Sequence, residues 1–277
     1  MEPNSLSLEW TGSEQSYLDS PSVEKLQHIT VGRYGGNTGS GAHKNEDGLL
    51  VWQSSSWEFA ALIDAHSSWD SAELIIATLK DKETSIKEIL DSKIDVLFDP
   101  IEQFLLQLFK SDEFKSQCRS LDGEASCLIC IRKENVLWWF SVGDCQLYLI
   151  HDELEKWGQV SLNQRNFYEW IGKVNTFDKA VPCYSLGRRE LRTGINYILM
   201  ITDGYLDAKE AAIPIPELCR SESLVAAFLN NLHCQQTVDS TTLVHWSVKN
   251  ELDAAIPSDG CISQSKPKKS IDHYRQN

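Results

Sequence analysis

Five aspartates stand beside apolar runs of the sequence. Asp47 precedes the run at 48–52, Asp64 follows 57–63, Asp144 separates 136–142 from 146–151, Asp203 follows 195–202, and Asp239 lies just ahead of 241–248. Aspartate is a common turn residue, and Asp-Gly is a turn signal by itself, so a turn explains any one of these positions. As a set they offer chemistry. Carboxylate oxygens suit hard divalent cations such as Mg²⁺ and Mn²⁺. Two such ions about 4 Å apart can share a water, lower its pKa and aim it in line at phosphorus. Asp64, Asp203 and Asp239 are the first candidates to hold such a pair. No His/Cys cluster has zinc spacing.

The elements that must position these acids follow from apolar periodicity. A short strand is expected at 6–10, a β-branched run covers 28–34, and 48–52 with 57–63 reads as a hairpin. Apolar residues at helical spacing predict helix over 69–92, with a break near 81–83, and over 100–117, with Pro100 at the helix start. Strands are expected at 125–132, 136–142 and 146–151, with Gly143-Asp144 as a tight hairpin turn between the last two. Residues 152–190 are irregular and aromatic. A strand at 195–202, a helix at 218–232 and a strand at 241–248 complete the order. Segregated strands and helices predict an α+β layered fold without alternating βαβ units. There is no internal repeat.

The strings around the acids resemble the metal-dependent Ser/Thr protein phosphatases of type 2C (the PPM type). Asn45-Glu46-Asp47-Gly48 is similar to the first acidic motif of that family, and Asp64-Ala65-His66 to its Asp-Gly-His. Gly123-Glu124-Ala125-Ser126 stands where the family has Gly-Ser-Thr-Ala, and Val142-Gly143-Asp144-Cys145 resembles its Val-Gly-Asp-Ser. Asp203-Gly204-Tyr205-Leu206-Asp207 resembles Asp-Gly-Leu-Trp-Asp, and Asp239-Ser240-Thr241-Thr242 resembles Asp-Asn-x-Thr. Each string is weak alone. In the family's order, over residues 30–248, they form a specific set.

The resemblance implies a four-layer α-β-β-α sandwich, two packed antiparallel sheets flanked by helices, with two Mn²⁺ or Mg²⁺ ions at one edge. It implies that Asp64 bridges the ions, that the Ala65 carbonyl binds the second, and that Asp203 and Asp239 complete the first. Glu46 and Asp47 would orient water or touch a metal, and His66 would be the general acid. Asp144 and Asp207 match positions that hold a weaker third ion in some members. The implied reaction is hydrolysis of phosphoserine or phosphothreonine in proteins. The alternatives are a phosphatase-like module that binds a phosphoprotein or partner with weak or no turnover, and a phosphatase acting on a small phosphometabolite.

Two departures bear on the site. Ala65 replaces a glycine, which matters only if φ is positive or the packing very close. Ala42 stands where many members carry an arginine that clamps the substrate phosphate. Lys44 is the first substitute, with His43 and Arg33 behind it; a lysine would bind phosphate as a point charge without a planar fork. In the family, residues 152–190 would include a flap beside the site. Here Trp157, Phe167, Tyr168, Trp170 and Tyr184 read as anchors to the core ahead of a partner surface.

The remaining features narrow the class. Gly36–Gly41 lacks the Gly-Lys-Ser/Thr ending of a phosphate-binding loop. Cys127 and Cys130 are three apart in a strand, so they point to opposite faces. The 277 residues carry a net charge of -14 and a pI near 4.9, without the basic stripe of a nucleic-acid binder. The start lacks a signal-peptide pattern, no apolar run has membrane-spanning length, and the eight cysteines are scattered. The expectation is a cytoplasmic signalling enzyme, a monomer, with no nucleic-acid or membrane partner. Its domains would be an N-terminal extension over 1–27, a phosphatase-like domain over 28–250 and a polar tail over 251–277.

Overall fold

The computed structural model describes residues 5–209 and 213–256. The strands form two antiparallel sheets. The first sheet contains β1 (Leu6–Thr11), β4 (Gly48–Gln53), β5 (Trp57–His66), β6 (Glu124–Lys133), β7 (Val136–Val142), β9 (Ile171–Gly172) and β10 (Ser185–Glu190). Its order is β1-β4-β5-β6-β7-β10, with β9 paired to β6. The second contains β2 (Ser22–Leu26), β3 (Ile29–Tyr34), β8 (Gln146–Ile150), β11 (Gly194–Ile201) and β12 (Thr241–Asn250), in the order β2-β3-β12-β11-β8.

Helices α1 (Asp70–Asp81), α2 (Glu83–Asp91), α3 (Ile94–Lys110) and α4 (Asp112–Arg119) cover the outer face of the first sheet. The short α5 (Asp152–Lys156) follows β8, and α6 (Ile215–Arg220) and α7 (Ser223–Cys234) cover the second sheet. The expected four-layer α-β-β-α sandwich is present.

Period-two alternation builds the layers. In β5, Phe59, Ala61, Ile63 and Ala65 join the core under α1–α4, while Ala60 and Leu62 join the core between the sheets. Asp64 has the parity of Leu62, so its side chain belongs to the gap between the sheets. The same alternation puts Cys127 under the helices and Cys130 between the sheets, as the three-residue spacing predicts. Both thiols are free and pushed up by burial, Cys127 to about 12.

Several expectations are corrected. Residues 5–27 are not a separate extension: β1 pairs with β4 and β2 with β3, each as part of a sheet. The β2 sequence SVEKL is a polar edge strand with little apolar alternation. Gly143-Asp144 is not a hairpin turn, because β7 pairs with β6 and β10 while β8 pairs with β11. The chain crosses there from one sheet to the other. Pro100 lies inside α3, whose buried stripe begins a turn earlier at Leu97 and Phe98. The helix expected over 218–232 is two, α6 and α7. The tail beyond residue 256, with its lysines and Cys261, lies outside the described residues.

Candidate active site

The acids meet at one end of the sandwich. Antiparallel pairing aligns the start of β4 with the end of β5, Gly48 opposite Ile63, and so sets Asp47 beside Asp64. In the second sheet the end of β11 lies against the start of β12, Ile201 opposite Leu243, and sets Asp203 near Asp239. The β7–β8 crossover brings Asp144 between the sheets. Gly143 has φ +89°, and a Cβ there would stand 2.2 Å from Ser126 Oγ. That contact lets Ser126 Oγ donate to Asp144 Oδ1 at 2.6 Å. Gly204 permits an equally close approach, its virtual Cβ 1.9 Å from the Ser240 carbonyl oxygen.

Hydrogen bonds tie the two sheets together through Asp47. Ser240 Oγ donates to Asp47 Oδ1 at 2.9 Å, and Thr202 Oγ1 to Asp47 Oδ2 at 3.4 Å. The Asp47 amide donates to Asn45 Oδ1 at 3.0 Å. Asp207 Oδ2 accepts from the Asp239 amide at 3.3 Å. His66 is exposed, with Nδ1 3.9 Å from Asp64 Oδ1. Ala65 lies in extended β5 opposite Ala125 and is absent from the residues with positive φ, so the backbone accepts alanine where the resembling family has glycine.

The charges raise one another's proton affinity. Burial pushes the Asp47 carboxyl up to about 7, with Asp239 adding to the shift. Burial, then Asp47, Asp203, Asp239 and Asp144, holds Asp64 well above the usual carboxylate range. Burial and Asp144 raise Asp203, while Arg165 opposes them. Asp239 keeps an exposed surface, yet partial burial followed by Asp203 and Asp207 pushes it up to about 6.

Arg165 was not expected from the sequence. It lies in an irregular stretch and has no motif around it. Its Nη2 donates to Asp203 Oδ2 at 2.6 Å and lies 3.7 Å from Asp144 Oδ2. Ser240 and Thr202 were also missed as Asp47 partners, although Ser240 sits inside a quoted motif.

The three expected phosphate-binding cations are placed differently. Lys44 Nζ donates to Glu46 Oε1 at 2.6 Å and to the Ser67 carbonyl at 2.7 Å. Arg33 is buried, paired with Glu24 at 2.6 Å, and stacked near Trp10 and Tyr17. His43 is exposed, with Nδ1 3.4 Å from the Gly41 carbonyl. The aromatic residues of 152–190 divide. Tyr184 packs on Phe140 and Phe177, whereas Trp157, Phe167 and Tyr168 are exposed.

Among the described residues, no group of three or more His, Cys, Asp or Glu side chains is arranged to hold a metal ion. Arg165 engages one Asp203 oxygen, and hydroxyls engage both Asp47 oxygens. The donor chemistry nonetheless fits a hard divalent cation. It is all oxygen, strongly like-charged, and already draws a cationic side chain to itself.

No protein-family model matches the sequence, and no curated protein matches it. Solved structures match in fold. One is RsbX in complex with magnesium, at 14% identity and a TM-score of 0.54, over 82% of this chain and 100% of that one. A bacterial serine phosphatase carrying a point substitution matches at 14% identity and a TM-score of 0.57, over 90% and 99%. Serine/threonine phosphatase Stp1 from Staphylococcus aureus matches at 14% identity and a TM-score of 0.55, over 90% and 96%. The fold is that of the type 2C Ser/Thr phosphatases.

Proposed function

We propose that this chain is a metal-dependent phosphatase that hydrolyses phosphoserine or phosphothreonine in proteins with Mn²⁺ or Mg²⁺. The observation that carries this reading is the meeting of Asp47, Asp64, Asp144, Asp203 and Asp239 between the sheets, from separate segments of chain. Asp64, the Ala65 carbonyl, Asp203 and Asp239 would hold two ions, with Asp47 and Glu46 beside them and Asp144 and Asp207 available to a third. When bound, the ions would polarise the phosphate and lower the pKa of a water poised to attack it.

The chain's own residues do the rest. Asp64 would meet the ions' positive charge in a desolvated place, where Coulomb attraction is strong. Ser240 and Thr202 fix the Asp47 carboxylate so that it does not rotate away. His66, exposed and next to Asp64, can give its proton to the departing serine or threonine oxygen as the ester P–O bond breaks. Water supplies the new oxygen on phosphorus, and no side chain need be phosphorylated.

Purified protein should hydrolyse an aryl phosphate only with added Mn²⁺ or Mg²⁺. Asp64→Asn and Asp239→Asn should each reduce turnover by at least about a hundredfold. Activity that persists in chelator, or in both variants, would sink the reading. A second reading, a phosphatase-like module that binds phosphoproteins without turnover, is favoured by Ala42 and by the Arg165–Asp203 pair. Phosphopeptide binding without metal-dependent release of phosphate would establish it. A panel of phosphopeptides and phosphometabolites would separate protein from small-molecule substrates.

A further inference from the structure

Arg165 is held over the carboxylates by its backbone neighbours. The Leu162 amide donates to the Leu147 carbonyl at 2.9 Å, and the Asn166 amide to the Gly143 carbonyl at 3.0 Å. Between them, Asn163 Nδ2 donates to Ser141 Oγ at 3.1 Å and to the Cys145 carbonyl at 2.7 Å. Its Oδ1 accepts from the Leu147 amide at 2.8 Å. These bonds fasten both sides of Arg165 to the crossover that carries Asp144. The guanidinium stacks 4.8 Å from the Phe167 ring centroid. Its Nη2 reaches Asp203, while its Nε is buried without a hydrogen-bond partner.

The other expected cations have their own partners. Lys44 joins Glu46 to Ser67, and Arg33 pairs with Glu24 beside the Trp10 and Tyr17 rings. Ala42 offers no charge. A guanidinium presents donors in a planar fork that matches two phosphate oxygens. On the phosphatase reading, Asp203, whose oxygen it now takes, would also be a ligand of a divalent cation. A cation at Asp203 would release the guanidinium, and the fastened backbone would keep it over the site. A dianionic phosphate ester would then be its strongest acceptor.

We propose that Arg165 grips the substrate phosphate, in place of the arginine missing at position 42, and that it competes with divalent cations for Asp203 when substrate is absent. This rests on the phosphatase reading. The test uses wild type, Arg165→Gln and Arg165→Lys, all confirmed as folded by circular dichroism. Inorganic phosphate is titrated calorimetrically into each Mn²⁺-loaded protein, Mn²⁺ into each metal-free protein, and KM and kcat are measured on an aryl phosphate.

Arg165→Gln should weaken phosphate binding roughly tenfold or more, the size of losing charge-assisted hydrogen bonds. KM should rise in parallel and kcat should change little. Arg165→Lys should recover only part of the phosphate affinity. Mn²⁺ should bind metal-free Arg165→Gln several-fold more tightly than wild type, because its competitor is gone. Unchanged phosphate affinity in Arg165→Gln overturns the proposal, as does Mn²⁺ binding that is no tighter. A wild type without Mn²⁺-dependent turnover would defeat the phosphatase reading instead, and the phosphate titration would still decide for or against Arg165.

Discussion

Asp47 and Asp64 sit in the gap between the sheets because strand parity puts them there, and burial then sets their proton affinity. An unfolded-chain aspartate titrates near about 4. The folded Asp47 titrates at about 7, with burial the larger cause. Between those values the folded state binds more protons than the unfolded one. The stabilisation is therefore complete below about pH 4 and is lost as pH rises toward 7. In chelator, the unfolding temperature should fall between about pH 5 and pH 7.5, and saturating Mn²⁺ should remove the fall. Asp64→Asn should flatten the slope, since it removes a second carboxyl whose own proton affinity is raised by burial and by Asp47. Thermal scans that rise over this interval in chelator would contradict the buried, like-charged cluster. Asp239, being exposed, contributes less.

The β7–β8 crossover is the element that turns two sheets into one site. It needs glycine at 143, where φ is positive and Ser126 leaves no room for a Cβ. It also needs Asn163, whose side chain satisfies the Leu147 amide, the Cys145 carbonyl and the Ser141 hydroxyl. Asn163→Ala leaves these buried groups unpaired and should cost about 1–3 kcal/mol. Denaturant melts would measure the loss, and amide exchange should speed up at Leu147 first. Exchange that is unchanged there would mean the crossover holds without Asn163. Pro100 illustrates the opposite case. It forgoes one helical hydrogen bond, yet α3 continues through it because Leu97, Phe98, Ile101, Leu105 and Phe109 bury one continuous stripe.

Three apolar layers hold the whole molecule: one beneath α1–α4, one between the sheets, and one beneath α6 and α7. Phe109 anchors the first, within 5.2 to 5.8 Å of the rings of Phe114, Phe140 and Phe177. Phe109→Ala should destabilise the fold by about 3–5 kcal/mol, with an unchanged denaturant slope. A loss below about 1 kcal/mol would show that the layer collapses around the cavity. Among the described residues no helix is long and apolar enough to cross a membrane.

Local pattern alone was enough for most strands, for α1 and α2, and for the positions of aspartates beside strands. Each rests on neighbours in sequence: apolar period, turn residues, and short strings such as Asn45-Glu46-Asp47 and Asp203-Gly204. Pattern failed where the deciding partner is remote. Strand β2 is polar and held by pairing with β3. The Gly143-Asp144 turn looks the same whether its strands pair with each other or with two different sheets. Arg165 has no local signal, because its partner Asp203 lies 38 residues away. The sequence by itself determined that aspartates stand at the ends of these strands. Only the tertiary structure decided that a guanidinium is fastened among them, since long-range strand pairing and burial bring the two together.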